Sequence, residues 1–331
     1  MKALALLSGG LDSTIAIKLI LDQGIEVEAL NFISPFCLCN QKGKCYAAEV
    51  ARKFNIPLKT LAKGEEYLEM MRHPKYGYGS GMNPCIDCRI FILKKAKEYA
   101  EQIGAKFIFT GEVLDQRPKS QYRKALEIVE KEAGLEGKLL RPLSAKLLPM
   151  TEAEKKGWVD RERLLDIRGK SRKKQMELAE EYGVNDYPSP GGGCLLTRKE
   201  YAFKLRELLR HQEKMTLKDV VLLKIGRHFW HNDGHIIVGR NKTENEQLLR
   251  LKNEDDYAFE VVDYPGPITI LQGPKDEDTI EFAARLTARY SDATVDRVVV
   301  ECRKNGKGQR IVVEPLPAET SKVLYAQEAV K

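Results

Sequence analysis

No apolar run in the sequence approaches the ~18 residues of a membrane-spanning helix, which argues against an integral membrane protein of the helical kind. A leader is not expected either: the opening apolar stretch, Ala3 to Leu7, is far too short for a signal peptide and runs straight into glycines. A cytoplasmic protein is expected. Neither an internal repeat nor a low-complexity linker interrupts the 331 residues, so a solenoid and a long tether are both excluded. In that compartment the seven cysteines do not read as a disulfide framework, and metal binding or catalysis must be weighed for them. Charge, by contrast, is plentiful: 31% of residues are charged and the net charge is +7, mildly favouring a polyanionic partner. With 43% hydrophobic residues the chain is long enough for two globular domains.

Short apolar runs at Ala3–Leu7, Val27–Phe32, Leu58–Ala62, Lys106–Thr110 and Leu139–Leu143 read as buried strands. Helical patterns lie between them at Asp12–Gln23, Tyr46–Phe54 and Ile90–Ile103. Such alternation predicts an α/β fold, a Rossmann-like parallel sheet with helices on both faces. Ligands of such sheets sit beyond the carboxyl ends of the strands, where Ser8, Phe32 and Gly111 fall. Further helices are expected at Ser171–Tyr182 and about Arg198–Gln212. After Met215 the pattern becomes β-rich, with hairpin turns at Asn232-Asp233-Gly234 and Lys304–Gly308 and helices at Glu244–Leu251 and Thr279–Tyr290. A smaller carboxy-terminal α+β domain follows. The expected divisions are 1–148, a helical extension 149–214 that completes the active site, and 215–320.

The loop between first strand and first helix reads SGGLDS, Ser8 to Ser13. Its glycines let backbone N–H groups approach an anion, and the helix start adds partial positive charge. A P-loop would supply a lysine for the terminal phosphates, and this loop has none. Asp12 would repel phosphate unless a divalent cation lay between them, so it implies Mg²⁺. The bland alternative is a tight turn capped by Asp and Ser. The full six-residue pattern after a first strand favours the nucleotide.

SGGLDS resembles the signature of the PP-loop (HUP-type) ATP pyrophosphatases, over about Met1–Leu148. That resemblance implies cleavage of ATP between its α and β phosphates, with AMP left on a substrate oxygen. It also implies an ATP site of Leu7, Ser8, Gly9, Gly10, Asp12, Ser13, Phe32, Gly111 and Gln116.

The nucleophile is sought among the cysteines. "NPCIDC" gives Cys85-x-x-Cys88 immediately before a helix, and "SPGGGCLLT" places Cys194 in a glycine turn whose residues 191–193 would bring it close. Three cysteines suit a 4Fe–4S cluster with one iron open, whereas structural zinc would prefer a fourth ligand. A helix start after Cys88 would also favour its thiolate. The alternative makes the pair a redox or zinc remnant and Cys194 a buried thiol. Cys37, Cys39 and Cys45 follow the second strand and stay open between a second metal site, a sulfur relay and ordinary loop thiols. Cys302, in a strand-like run, reads as a core thiol.

With "TGEVLDQRPKSQ", "LLRPLSAKLLP" and "YPSPGGGCLLT", these motifs resemble the tRNA thiouridine synthases, most of all short proteins related to the ThiI-type 4-thiouridine synthases. The resemblance implies Cys88 and Cys194 as the active pair with Asp12, and Cys85, Cys88 and Cys194 as cluster ligands. Cys85 stands where 2-thiouridine enzymes have aspartate, a departure shared with cluster-dependent thiolases. Nothing precedes the loop, so the amino-terminal RNA-binding region of the longer synthases is expected to be missing. An external sulfur donor, sulfide or a sulfur-carrier protein, is expected in place of a rhodanese-like tail.

Leu217–Val313 resembles the RNA-binding module of the NFACT proteins. Candidate tRNA contacts are Arg117, Lys119, Arg227, Arg240 and Lys242, with Phe229 and Trp230 as stacking surfaces. His228, His231 and His235 are expected as exposed imidazoles rather than metal ligands. The implied function is ATP-dependent tRNA thiolation by adenylation of a uridine carbonyl oxygen and attack by cluster sulfide or a cysteine persulfide. Two alternatives stand beside it: a PP-loop enzyme that adds sulfur or nitrogen to a small molecule, and a non-catalytic RNA-binding adaptor. A homodimer is compatible with the sequence.

Overall fold

In a computed structural model, which describes residues 1–37, 45–188 and 193–319, the alternating pattern becomes β1 (Lys2–Leu6), α1 (Leu11–Leu21), β2 (Glu26–Ile33), α2 (Tyr46–Lys53) and β3 (Leu58–Ala62). It continues through α3 (Glu65–Arg72), α4 (Cys85–Gln102), β4 (Ile108–Thr110), α5 (Arg123–Ala133) and β5 (Leu139–Leu140). Two helices, α6 (Glu152–Lys155) and α7 (Lys173–Glu181), follow. The five strands pair in parallel in the order β3-β2-β1-β4-β5. Alternate residues of β1 enter opposite cores: Ala3 and Ala5 pack with α1, α2 and α7, whereas Leu4 and Leu6 pack with α4 and α5. Burial on both faces is why these strands read as unbroken apolar runs. Strand order reverses beside β1, so the crevice of the sheet opens between the carboxyl ends of β1 and β4.

The chain divides into two compact units, Met1–Leu195 and Leu196–Lys331. The expected extension 149–214 is thereby split: α6 and α7 lie in the first unit, α8 (Lys199–His211) in the second. The second unit adds α9 (Leu217–Leu222), β6 (Arg227–His231), β7 (Gly234–Val238), α10 (Lys242–Leu251), β8 (Tyr257–Val261) and β9 (Thr269–Gln272). It ends with α11 (Glu277–Arg289), β10 (Val298–Lys304) and β11 (Lys307–Val313). Its six strands pair antiparallel in the order β11-β10-β8-β9-β7-β6. Asn232 and Asp233 both take positive φ (44° and 63°), as a two-residue hairpin turn requires.

Both faces of this second sheet are covered. Phe229, Ile236 and Phe259 pack with Ala283 and Leu286 of α11, and Ile237 and Ile270 pack with Leu222 of α9 and Leu248 of α10. This corrects the expectation for two histidines: His228 and His235 are 0% and 3% exposed, because their face of the sheet meets another layer rather than solvent. Among the described residues no helix is long and apolar enough to cross a membrane.

Candidate functional site

The SGGLDS loop leaves β1 and turns into α1 with Gly10 at the N-cap. Its serines are tied to the loop itself. Ser8 Oγ lies 3.2 Å from Ser13 Oγ and accepts from Gly10 N at 3.3 Å, while Ser13 Oγ donates to Gly10 O at 2.9 Å. Buried Asn31 anchors the start of the loop, its amide donating to Leu7 O at 2.7 Å. Two glycines are demanded by space. Gly9 has φ +76°, and a Cβ there would stand 2.6 Å from Ala47 N. A Cβ on Gly111, just after β4, would stand 2.4 Å from Ser13 N. The end of β4 thus touches the first turn of α1, bringing Gly111 to the loop as expected.

Asp12 is paired with Arg172 at the N-cap of α7, Nη2 to Oδ2, at 3.0 Å. Its other oxygen, Oδ1, is buried without a hydrogen-bond partner. A desolvated, unpaired carboxylate oxygen beside an anion-binding turn fits a divalent cation. Gln116 also leaves its amide nitrogen buried and unpartnered. Phe32 is half-buried and packs against the α4 side of the sheet.

Cys85 and Cys88 depart from the expected local picture. Helix α4 starts at Cys85, not after Cys88, because Pro84 supplies the N-cap and its carbonyl accepts from Cys88 N at 2.8 Å. Both thiols therefore sit in the first helical turn. Lys63 Nζ donates to Cys88 Sγ at 3.1 Å and lies 4.5 Å from the centre of the Tyr67 ring. Burial opposes ionisation of Cys88, but Lys63, the Tyr67 hydroxyl and Arg89 outweigh it and lower the thiol pKa. Burial raises the Tyr67 pKa, and the thiols of Cys88, Cys194 and Cys85 push it further up. One tyrosine thus stands in the field of all three cysteines. Asn83 donates to Cys85 Sγ at 3.1 Å.

Cys194 is carried to this edge of the sheet by backbone pairing. It forms an antiparallel bridge with Cys37, and Leu195 N donates to Phe36 O at 2.9 Å. Phe36 in turn contacts Tyr67, ring centres 6.2 Å apart. Gly191, Gly192 and Cys39 lie outside the described residues. Cys37 is disulfide-bonded, Cys45 is a free thiol before α2, and Cys302 is free and buried. Among the described residues no group of three or more His, Cys, Asp or Glu is arranged to hold a metal ion, so the three thiols share a neighbourhood without forming a ligand set.

Arg117 is exposed overall, yet local desolvation of its guanidinium and the neighbouring Arg89 lower its pKa, against the opposing charges of Asp12, Cys85 and Glu112. Buried Glu112 is ion-paired with Arg89 at 3.0 Å and Arg141 at 3.1 Å, and burial notwithstanding, these arginines hold its carboxyl below the usual range. Of the other candidate RNA contacts, Lys119 is half-buried and Lys242 is exposed at the start of α10. Arg240 is paired with Glu244, and the Arg227 guanidinium lies 4.6 Å from the Tyr290 ring centre. Sequence reading missed Lys63, Tyr67, Arg172 and Glu112. Only Glu112, inside "TGEVLDQ", stood within a quoted motif.

Residues 1–146 match the family model described as thiamine biosynthesis protein (ThiI), and residues 226–325 match that of the NFACT protein RNA binding domain. A protein of Lysinibacillus sphaericus named "Probable tRNA sulfurtransferase" is 30% identical over 229 residues, covering 64% of this chain and 54% of its own. The tRNA-specific 2-thiouridylase MnmA of Syntrophotalea carbinolica is 32% identical over 117 residues, covering 33% of each chain. The chain therefore spans from a third to about half of these relatives' lengths. A solved complex of a 4-thiouridine synthetase with RNA and bound ATP is 20% identical, covering 67% of this chain and 52% of its own, with a TM-score of 0.39. The chain thus carries, in order, a region similar to the ThiI family and a region similar to the NFACT RNA-binding domain.

Proposed function

We propose that this protein thiolates a uridine of tRNA at the expense of ATP, forming AMP and pyrophosphate. One observation carries the reading: a lysine-free glycine loop leaves Asp12 Oδ1 buried and unpaired, in the same unit whose α4 bears Cys85 and Cys88 in its first turn. The loop N–H groups and Ser8 and Ser13 bind the polyphosphate, and Asp12 would hold a Mg²⁺ that supplies charge neutralisation for the phosphates. The uridine carbonyl oxygen attacks the α-phosphorus and pyrophosphate leaves. Sulfur then adds to the activated carbon and AMP departs.

The low pKa of Cys88 supports a persulfide route. A persulfide on Cys194, charged by an external donor, supplies its terminal sulfur. The Cys88 thiolate then attacks the Cys194 sulfur, releasing thiouridine and leaving a Cys88–Cys194 disulfide that an external dithiol reduces. The alternative is a 4Fe–4S cluster on Cys85, Cys88 and Cys194, which would require these thiols, all within the field of Tyr67, to come together as the ligand set they do not form here. Anaerobic reconstitution with iron analysis separates the two: an active protein without iron favours the persulfide. The RNA-binding domain supports tRNA over a small-molecule substrate. The test of the whole reading is product analysis with ATP, unmodified tRNA and, in parallel, either sulfide or a persulfide-bearing carrier protein with a dithiol. AMP, pyrophosphate and a thionucleoside are expected, and ADP would overturn the reading.

A further inference from the structure

The contact between Asp12 and Arg172 is incomplete on both sides. It has a single prong at 3.0 Å, with side chains only 15% and 18% exposed. Asp12 Oδ1 and Arg172 Nε are each buried with no hydrogen-bond partner. Arginine and carboxylate favour a two-pronged fork, and a desolvated donor or acceptor left spare is costly. One turn along α7, Gln175 is 0% exposed, and neither its amide nitrogen nor its oxygen has a hydrogen-bond partner. Arg172 and Gln175 are three residues apart, hence on one face of α7, the face that carries buried Ala179 into the core with α1. Four unsatisfied polar atoms therefore lie on Asp12, which follows a glycine loop that lacks its own cation, and on the first turn of α7, whose Arg172 touches it.

We propose that Arg172 is a transferable counter-charge: it holds Asp12 while the loop is empty and moves its guanidinium to the polyphosphate when nucleotide arrives, with Gln175 as a second donor. The proposal rests on reading SGGLDS as a nucleotide loop. Its logic is one of exchange. A divalent cation alone must compete with Arg172 for Asp12 and gains nothing for the displaced guanidinium. A cation arriving with a nucleotide brings phosphate oxygens that Arg172 can grip bidentately. Metal and nucleotide binding are then positively coupled, and Arg172 is the source of the coupling.

Two affinities and a melting temperature test this: Mn²⁺ alone, followed by the spectroscopic signal of the free ion; α,β-methylene-ATP in the presence of Mn²⁺; and the melting temperature of each variant. Arg172→Met should bind Mn²⁺ alone about tenfold more tightly and the nucleotide about tenfold more weakly, because one charge is both competitor and ligand. Arg172→Lys, which keeps charge but not the fork, should fall between and serves if the Met variant folds poorly. Gln175→Met, close in volume and apolar, should melt no lower than wild type while binding nucleotide several-fold more weakly. Changes of the same sign for metal and nucleotide, or unchanged nucleotide affinity, overturn the role of Arg172. A lower melt with unchanged binding makes Gln175 a packing residue and overturns its part. A wild type that binds no nucleotide overturns the loop reading itself, whereas a binding wild type matched by Arg172→Met overturns this proposal alone.

Discussion

Lys63 Nζ stands 3.1 Å from Cys88 Sγ, at the end of a strand that enters the sheet 25 residues before the thiol. The ammonium is itself buried, so its charge acts on sulfur through little intervening water. Alkylation follows the thiolate fraction, and the pH midpoint for Cys88 should lie below the ~8.5 of a free cysteine. Lys63→Met should raise that midpoint and slow labelling at neutral pH. Peptide mapping after iodoacetamide treatment across a pH series reads the shift; an unmoved midpoint would assign the lowered pKa elsewhere.

Gly111 meets the backbone of Ser13 where a Cβ would lie at 2.4 Å. Gly111→Ala must therefore push β4 away from the loop. Such overpacking costs about 1–3 kcal/mol. The variant should melt lower and lose nucleotide affinity out of proportion to that loss, measured by calorimetry and nucleotide titration on the same preparation.

His228 and His235 give the second unit an acid sensitivity. Ile225 O can only accept, so His228 Nε2 carries a proton and its Nδ1 accepts from His235 Nε2 at 2.9 Å. Both rings are then neutral. Burial holds the His235 pKa down to about 3 and that of His228 well below the ordinary value. The unfolded chain takes up these protons near pH 6.5, whereas the folded unit refuses them. The neutral pair's stability is thus intact above about pH 6.5, then lost as pH falls towards the folded values. The slope is up to about 1.4 kcal/mol per pH unit for each histidine. Melting curves between pH 7.5 and 5 should show this fall, and His235→Gln should flatten it.

Lys242 is exposed at the first turn of α10, whereas Arg240 is committed to Glu244. If Lys242 neutralises one phosphate, Lys242→Ala weakens tRNA binding uniformly and lowers the salt slope by about one. Arg240→Ala should also lower the melting temperature. A titration at several salt concentrations distinguishes the two; an unchanged slope for Lys242→Ala removes it from the interface.

What the sequence disclosed was local. The strand-to-helix turn of SGGLDS is set within six consecutive residues, and the Asn232-Asp233 turn dictates its own backbone, so both turns were legible. Helix α5 was overlooked although Leu126, Val129 and Ala133 recur at helical spacing and Gly134 closes it in the left-handed region. Its first turn begins at Tyr122, with no capping side chain to announce it. The burial of His228 and His235 could not be read, because alternation along a strand identifies two faces without saying whether both are covered. Lys63 and Arg172 were beyond reach for another reason. Their significance lies in partners 25 and 160 residues away, and nothing near them in the chain marks them.

The backbone bridge between Cys37 and Cys194 has a bearing on the life of the nascent chain. The SGGLDS loop leaves the ribosome well before Arg172 and Cys194, which follow only after nearly the whole first unit has been made. Closing such long loops is an entropic cost met only once the intervening sheet is in place. A partly synthesised chain therefore carries the entire SGGLDS signature without its counter-charge or its distant thiol. Translation itself withholds this arrangement until the end of the unit emerges, so the ion pair and the bridge can form only in a finished unit.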